Sequence, residues 1–168
     1  MATLTGGEGV DRIKGTSDAD VISGLQGNDV LLGWRGDDFV NGGTGNDYIQ
    51  DGDGNDVVIG GLGADTIDAG NGADFFYLGE SELLGDDGAA DIVYVESSRW
   101  GTGQDIVNGF VLEQDHVKVK GVKYADVGLE AYDYGGTAST LVTIDEQSSL
   151  LLVGVTYDSN LRNILFAT

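Results

Sequence analysis

The sequence has no cysteine, no proline, one histidine, and 8 basic residues among 168. Without cysteine there are no disulfide staples, thiolate metal centres or sulfur nucleophiles. The lone His116 does not build a zinc or copper site, and a surface or hydrogen-bonded place on a strand suits it better than catalysis. The signatures H-E-x-x-H, G-x-S-x-G and the phosphate-binding P-loop are missing, so the chain reads as non-catalytic. With 29 acids against those 8 bases the formal charge is −21, which leaves no basic footprint for nucleic acid or an anionic membrane surface. No stretch reaches the roughly 18 apolar residues that span a bilayer. The opening Met-Ala-Thr-Leu-Thr-Gly-Gly lacks the regions of a signal peptide, so any export is expected to use another route.

What remains is mostly glycine and aspartate. The 29 glycines are about 17% of the chain, against a usual share of about 7%, and favour turns over helices. Rows of nine residues counted from Gly6 place Asp11, Asp20, Asp29, Asp38, Asp47, Asp56, Asp65 and Asp74 in one column. Two positions later stand Ile13, Ile22, Leu31, Val40, Ile49, Val58, Ile67 and Phe76. The fourth column holds Gly9, Asp18, Gly27, Gly36, Gly45, Gly54, Gly63 and Gly72. Scattered turn residues explain such a composition but not eight rows in unbroken register.

The first six residues of each row suit a tight turn, because glycine tolerates positive φ and close backbone approach. The last three suit a short strand whose eighth position faces a narrow core. Two rows make one coil of 18 residues, so row n stacks on row n+2 in parallel. The aspartates then pair between coils: Asp11 with Asp29, Asp20 with Asp38, Asp29 with Asp47, Asp38 with Asp56, Asp47 with Asp65, and Asp56 with Asp74. Two carboxylates and several turn carbonyls at each pair, with the fourth-column residues as backbone ligands, form a hard oxygen set. Ca²⁺ accepts six to eight such oxygens, whereas Mg²⁺ demands a tight octahedron. Six Ca²⁺ ions would reduce the formal charge from −21 to −9. Asn28, Asn46 and Asn55 are expected to support left-handed turn geometry. Of the other acids, Asp18 is expected near metal through its carbonyl, and Asp37, Asp51 and Asp53 read as surface charge.

The rows follow G-G-x-G-x-D-x-U-x, the nonapeptide of RTX proteins. Residues 6–14, 42–50 and 60–68 match it at every fixed position. The run Asp105-Ile-Val-Asn-Gly-Phe110, followed by Asp115-His-Val-Lys-Val119, resembles the segment after the repeats in RTX modules of secreted metalloproteases and alginate epimerases. The resemblance implies an all-β, right-handed parallel β-roll of about four coils with a C-terminal β-rich cap. It implies about six calcium ions, with one more in the cap, and disorder at the low calcium of the bacterial cytosol. It also implies type I secretion to the extracellular space, directed by a signal in the last residues, which end Asn163-Ile-Leu-Phe-Ala-Thr168.

The expected organisation is a lead-in over residues 1–5, the roll over 6–77 and a capping segment over 78–168, because the period fails after Tyr77. The roll is expected to end there. Candidate strands in the tail are 92–95, 105–111, 116–120, 140–145 and 150–156, with a hairpin turn at Gly135-Gly136 and a helical turn near 124–129. Residues 6–77 carry 14 acids against 3 bases and a thin core, so metal is expected to drive their folding. Trp34, Trp100, Phe39, Tyr48 and Phe75 suggest an outward aromatic surface, over which the tail is expected to pack. Partners in view are calcium, the type I secretion machinery, an upstream catalytic domain and a polysaccharide. The leading function is a calcium-dependent folding and secretion module that stabilises a secreted protein. The rivals are a calcium-dependent carbohydrate-binding module and a structural unit of a surface layer or adhesin.

Overall fold

A computed structural model describes residues 1–79, 88–96, 103–111, 114–120, 126–144 and 148–157. The chain alternates between two parallel sheets every nine residues through the repeat. The first sheet takes β1 (Thr3–Thr5), β3 (Val21–Gln26), β5 (Phe39–Thr44), β7 (Val57–Leu62) and β9 (Phe75–Tyr77). The second takes β2 (Arg12–Lys14), β4 (Val30–Arg35), β6 (Tyr48–Asp53) and β8 (Thr66–Ala69). Pairing falls 18 residues apart, as in Ile22↔Val40 and Leu31↔Ile49. The fold is a parallel β-roll, as the row spacing requires.

The eighth column forms the core. Ile22, Leu31, Val40, Ile49, Val58, Ile67 and Phe76 are fully buried between the sheets, while the flanking seventh and ninth positions face outward. The strands are longer than the three residues expected, because β3 to β7 continue through the third column of the following row. The pairing skips the first column and resumes at Leu25↔Gly43 and Gln26↔Thr44, so the bend itself is confined to columns four to six. Residues 1–5 are more than a lead-in, since β1 pairs with β3 and Leu4 packs on the core.

The nonapeptide period stops at Tyr77, but the stacking does not, and the expected end of the roll there is corrected. β10 (Ile92–Glu96) lies on β8 and β12 (His116–Lys120) on β10, while β11 (Gly103–Asn108) lies on β9 and β15 (Ser148–Leu152) on β11, all parallel. The cause is local. Asp91-Ile-Val93, Asp105-Ile-Val107 and Asp115-His-Val117 repeat the D-x-U triplet of the rows, and Val93, Val107 and Val117 are fully buried. Only the connections have lengthened. The antiparallel hairpin of β13 (Gly128–Tyr134) and β14 (Thr137–Thr143) then closes the first sheet against β15. Its turn is Gly135-Gly136 as expected, with φ of 60° and 89°, the pair of positive values that a two-residue hairpin favours.

Among the described residues, the tail does not cover the outward aromatics Phe39 and Tyr48. Phe39 on the first sheet and Tyr48 on the second remain exposed, and they lie on different sheets rather than in one strip. Phe75 is half-buried beside Tyr77, with ring centroids 5.7 Å apart. Of the helical turn expected near 124–129, Asp126 has 3-10 helical backbone and β13 begins at Gly128, while residues 124 and 125 lie outside the described residues. Trp100 and the terminal Asn163–Thr168 lie outside the described residues.

Candidate metal centre

Close stacking of the turns dictates where glycine stands. Gly45, Gly54 and Gly63 in the fourth column have φ of 127°, 151° and 119°, a region that penalises any Cβ. A side chain there would also strike the fourth-column carbonyl of the preceding coil: that of Gly27 beneath Gly45, Gly36 beneath Gly54, and Gly45 beneath Gly63. The carbonyls of Gly9, Asp18 and Gly54 face Gly27, Gly36 and Gly72 in the same way. In the first column a Cβ on Gly24 or Gly42 would meet two oxygens together. One is the second carboxylate oxygen of the row's own aspartate, Asp29 or Asp47, and the other is the first-column carbonyl of the next coil, Gly42 or Gly60. Thus the carbonyls gathered beside the carboxylates belong to the first column, while the fourth-column carbonyls abut glycine Cα atoms.

All six expected aspartate pairs are in contact. Asp11 N–H donates to Asp29 Oδ1 at 2.8 Å, Asp20 to Asp38 at 2.7 Å, Asp29 to Asp47 at 2.7 Å, and Asp38 to Asp56 at 2.7 Å. The series continues from Asp47 to Asp65 at 2.8 Å and from Asp56 to Asp74 at 2.8 Å. Each carboxylate therefore spends Oδ1 on the backbone of the coil before it. Oδ2 is different. At the N-terminal end, Asp11 Oδ2 accepts Gly7 N–H at 2.6 Å and Asp20 Oδ2 accepts Thr16 N–H at 2.6 Å. Further along, Oδ2 of Asp29, Asp38, Asp47, Asp56, Asp74 and Asp105 is buried with no hydrogen-bond partner.

A buried carboxylate oxygen without a partner is expensive unless a cation meets it. Burial pushes the Asp56 carboxyl up to about 7, with Asp74 and Asp38 adding like charge against the Asp38 N–H bond, which lowers it. Burial raises Asp74 to about 6 and Asp105 to about 8, the like charge of Asp74 adding to the rise of Asp105. Asp38 and Asp47 are raised, again chiefly by burial. Asp20 is lowered, chiefly by the Thr16 N–H bond. An interior row of anions held apart by geometry and short of donors fits a hard divalent cation, and an all-oxygen set without nitrogen or sulfur fits calcium.

The sequence reading named Asp105 and Asp115 only within the capping run and did not connect Asp51 or Asp91 with metal. Asp51, expected as surface charge, is fully buried, and carboxylate oxygens of Asp51, Asp56 and Asp74 lie within 4.8 Å of one another. Asp91, Asp105 and Asp115 extend the aspartate ladder: Asp65 N–H donates to Asp91 at 2.8 Å, Asp74 to Asp105 at 3.1 Å, and Asp91 to Asp115 at 2.9 Å. Their separations of 26, 31 and 24 residues hide them from a search at fixed period, but the D-x-U triplet marks each one. At this end too Oδ2 is met by its own turn, since Asp115 Oδ2 accepts Val111 N–H at 2.8 Å.

Asp37 and Asp53 are exposed as expected, with Asp53 Oδ2 3.5 Å from Arg35 Nε. Asp18 is exposed, its carboxylate 3.4 Å from the terminal amine and its carbonyl facing Gly36. Asn28, Asn46 and Asn55 do not adopt the left-handed backbone expected of them; among the described non-glycine residues only Leu25 and Trp34 have positive φ, at 76° and 86°. The asparagines form an outer ladder instead. Asn28 Oδ1 accepts Asn46 N–H at 2.9 Å, Asn46 accepts Ala64 N–H at 3.1 Å, and Asn55 accepts Ala73 N–H at 3.0 Å.

Residues 5–40 and 41–76 each match the profile of the RTX calcium-binding nonapeptide repeat in four copies. A search of curated proteins returned no match. Among solved structures, the AlgE6R3 subunit of the Azotobacter vinelandii mannuronan C5-epimerase is similar at 22% identity and a TM-score of 0.33, over 89% of this chain and 73% of that one. The extracellular lipase LipA of Serratia marcescens is similar at 16% identity and a TM-score of 0.35, over 98% of this chain and 39% of that one.

Proposed function

Residues 5–76 belong to the RTX calcium-binding nonapeptide repeat family, and from that premise we propose that the chain is a non-catalytic module whose roll orders when calcium enters the aspartate ladder. The buried, partnerless Oδ2 atoms of Asp29, Asp38, Asp47, Asp56, Asp74 and Asp105 support this reading. The ligands would be Asp11, Asp20, Asp29, Asp38, Asp47, Asp56, Asp65 and Asp74, assisted by turn carbonyls of the first column. About six ions would lie between the coils of residues 6–77, and residues 78–168 would extend and close the stack, with Asp91, Asp105 and Asp115 placing a further ion near the cap.

Calcium that binds only the ordered form drives ordering by linkage. In a cell with little free calcium the same chain would stay extended and suit passage through a type I secretion channel. It would fold outside, where millimolar calcium is present, and stabilise whatever it is joined to. Small-angle scattering in calcium, in magnesium at equal ionic strength and in chelator tests this. Contraction in calcium alone is expected, and one radius under all three conditions contradicts it.

A second reading rests on a groove of about 420 Å³ on the second sheet, lined by Trp34, Lys14, Arg35, Gln50, Asp53 and Asp68 among others. Trp34 is half exposed on a left-handed backbone, with Lys14 Nζ 3.9 Å from its ring centroid. An exposed indole among polar side chains suits a sugar ring. Reproducible, calcium-dependent binding on a glycan array would support a carbohydrate-binding role, and its abolition by Trp34→Ala would locate the site.

A further inference from the structure

We propose that Asp51 is a third carboxylate ligand of the Asp56–Asp74 site and makes that site the first in the roll to fill with calcium. The proposal rests on the calcium reading of the ladder but concerns a residue outside the nonapeptide formula. The first column holds Gly6, Gly15, Gly24, Gly33, Gly42, Gly60 and Ala69 in the other rows. Only the row beginning at Asp51 places an oxygen donor there.

The local bonding orients that donor. Oδ1 of Asp51 accepts the N–H groups of Gly52 and Gly70, both at 2.7 Å, which fixes the carboxylate across two coils. Its Oδ2 is left fully buried with no partner. Oδ1 of Asp56 and of Asp74 is likewise engaged, by Asp38 N–H and Asp56 N–H, and Oδ2 of each is buried and unpartnered. Three orphan oxygens thus belong to carboxylates that approach within 4.8 Å of one another, the one such acidic cluster among the described residues. No lysine or arginine is hydrogen-bonded to any of the three carboxylates in the described structure.

The backbone of Asp51 serves the neighbouring site. Its carbonyl lies against Gly33 Cα beside Asp38 Oδ2, where Gly24, Gly33, Gly42 and Gly60 place theirs in other rows. Asp51 therefore reaches the Asp38–Asp56 site through its carbonyl and the Asp56–Asp74 site through its side chain. Calcium affinity at oxygen sites rises with the number of charged ligands and the rigidity of their setting. Two carboxylates balance one Ca²⁺, and a third leaves net negative charge to hold it. The Asp56–Asp74 site should fill ahead of the five sites with two carboxylates.

Calorimetric titration of the full chain with CaCl₂ from a chelator-stripped start tests this. The wild type should bind one ion roughly tenfold more tightly than the rest. Asp51→Asn keeps an acceptor for Gly52 and Gly70 but loses the charge, and it should lose the early step while later binding persists. Asp51→Gly restores the residue that Gly33 and Gly60 represent and should behave alike, which guards against a folding defect peculiar to asparagine. Asp53→Asn removes an exposed charge two residues away and should leave the early step intact. An early step that survives both Asp51 variants, or is lost equally in Asp53→Asn, overturns the proposal, as does a wild-type isotherm without an early step. A wild type that takes up no calcium overturns the functional reading itself, and this inference with it.

Discussion

Asp56 donates its backbone N–H to Oδ1 of Asp74 one coil further on, at 2.8 Å, while the other oxygen of Asp74 is buried with no partner. One oxygen fixes the coil spacing and the other is presented to a cation, so the same carboxylate is both a structural bond and a ligand. The two roles are separable by mutation.

Asp47 lies in the middle of its ladder, with Oδ1 on Asp29 N–H at 2.7 Å and Oδ2 unpartnered. Asp47→Asn keeps an acceptor and should raise the calcium midpoint of folding roughly tenfold with little other change. Asp47→Ala also orphans the buried Asp29 N–H and should cost a further ~1–3 kcal/mol. Melting both variants in saturating calcium checks the difference, and equal melting temperatures would refute the division of roles.

Acid should partly replace calcium. Asp56, Asp74 and Asp105 titrate at about 7, about 6 and about 8 in the folded chain, each raised by burial. A carboxyl whose folded value lies above its unfolded value near 4 stabilises the fold fully below pH 4 and loses that contribution as pH rises through the folded value. Asp20, which is lowered, acts in the opposite sense, losing its contribution as pH falls. The raised group is larger, so the metal-free chain should gain β signal on acidification from pH 8 to 5, measured by far-UV circular dichroism in chelator. The same linkage requires calcium binding near pH 7 to release protons, which calorimetry in buffers of different ionisation enthalpy detects.

The core should be continuous past the repeat. Phe76→Ala should cost about 3–5 kcal/mol and Leu152→Ala, 76 residues later but opposite Val107 in the same stack, about 2–5 kcal/mol. The exposed Leu62→Ala should stay within about 0.5 kcal/mol. Denaturant unfolding in calcium measures all three, and a silent Leu152→Ala would mean that β15 does not share the core.

Leu25 and Gly43 occupy the second column of rows one coil apart, with φ of 76° and 108°. Leu25→Gly relieves a strain of about 1–2 kcal/mol at the cost of about 0.5–1 kcal/mol of chain entropy, so a small rise in melting temperature is expected. Gly43→Ala introduces the strain and sets a methyl against the Leu25 carbonyl, so a clear fall is expected.

The roll, its sheet alternation, the buried eighth column and all six aspartate pairs were legible in the sequence, because a nine-residue period imposes the same neighbours on every row. Two things were not. The stack beyond Tyr77 was obscured because connections of variable length destroy the period, although Asp91, Asp105 and Asp115 keep the triplet that makes each strand. Asp51 was obscured because its column normally holds glycine. An aspartate there looks like a surface substitution until the coils are stacked and that column proves to lie inside, next to Asp56 and Asp74. Asn46 was misjudged for a related reason: its use is a bond to Ala64 one coil away, not a local backbone preference.

The central claim, that calcium creates the roll, is tested most directly by far-UV circular dichroism of the full chain titrated from chelator into millimolar calcium at pH 7.5, with magnesium as control. The expected result is a weakly structured spectrum in chelator that converts cooperatively to a β spectrum with calcium alone. A full β spectrum in chelator, unchanged by calcium, would contradict the account.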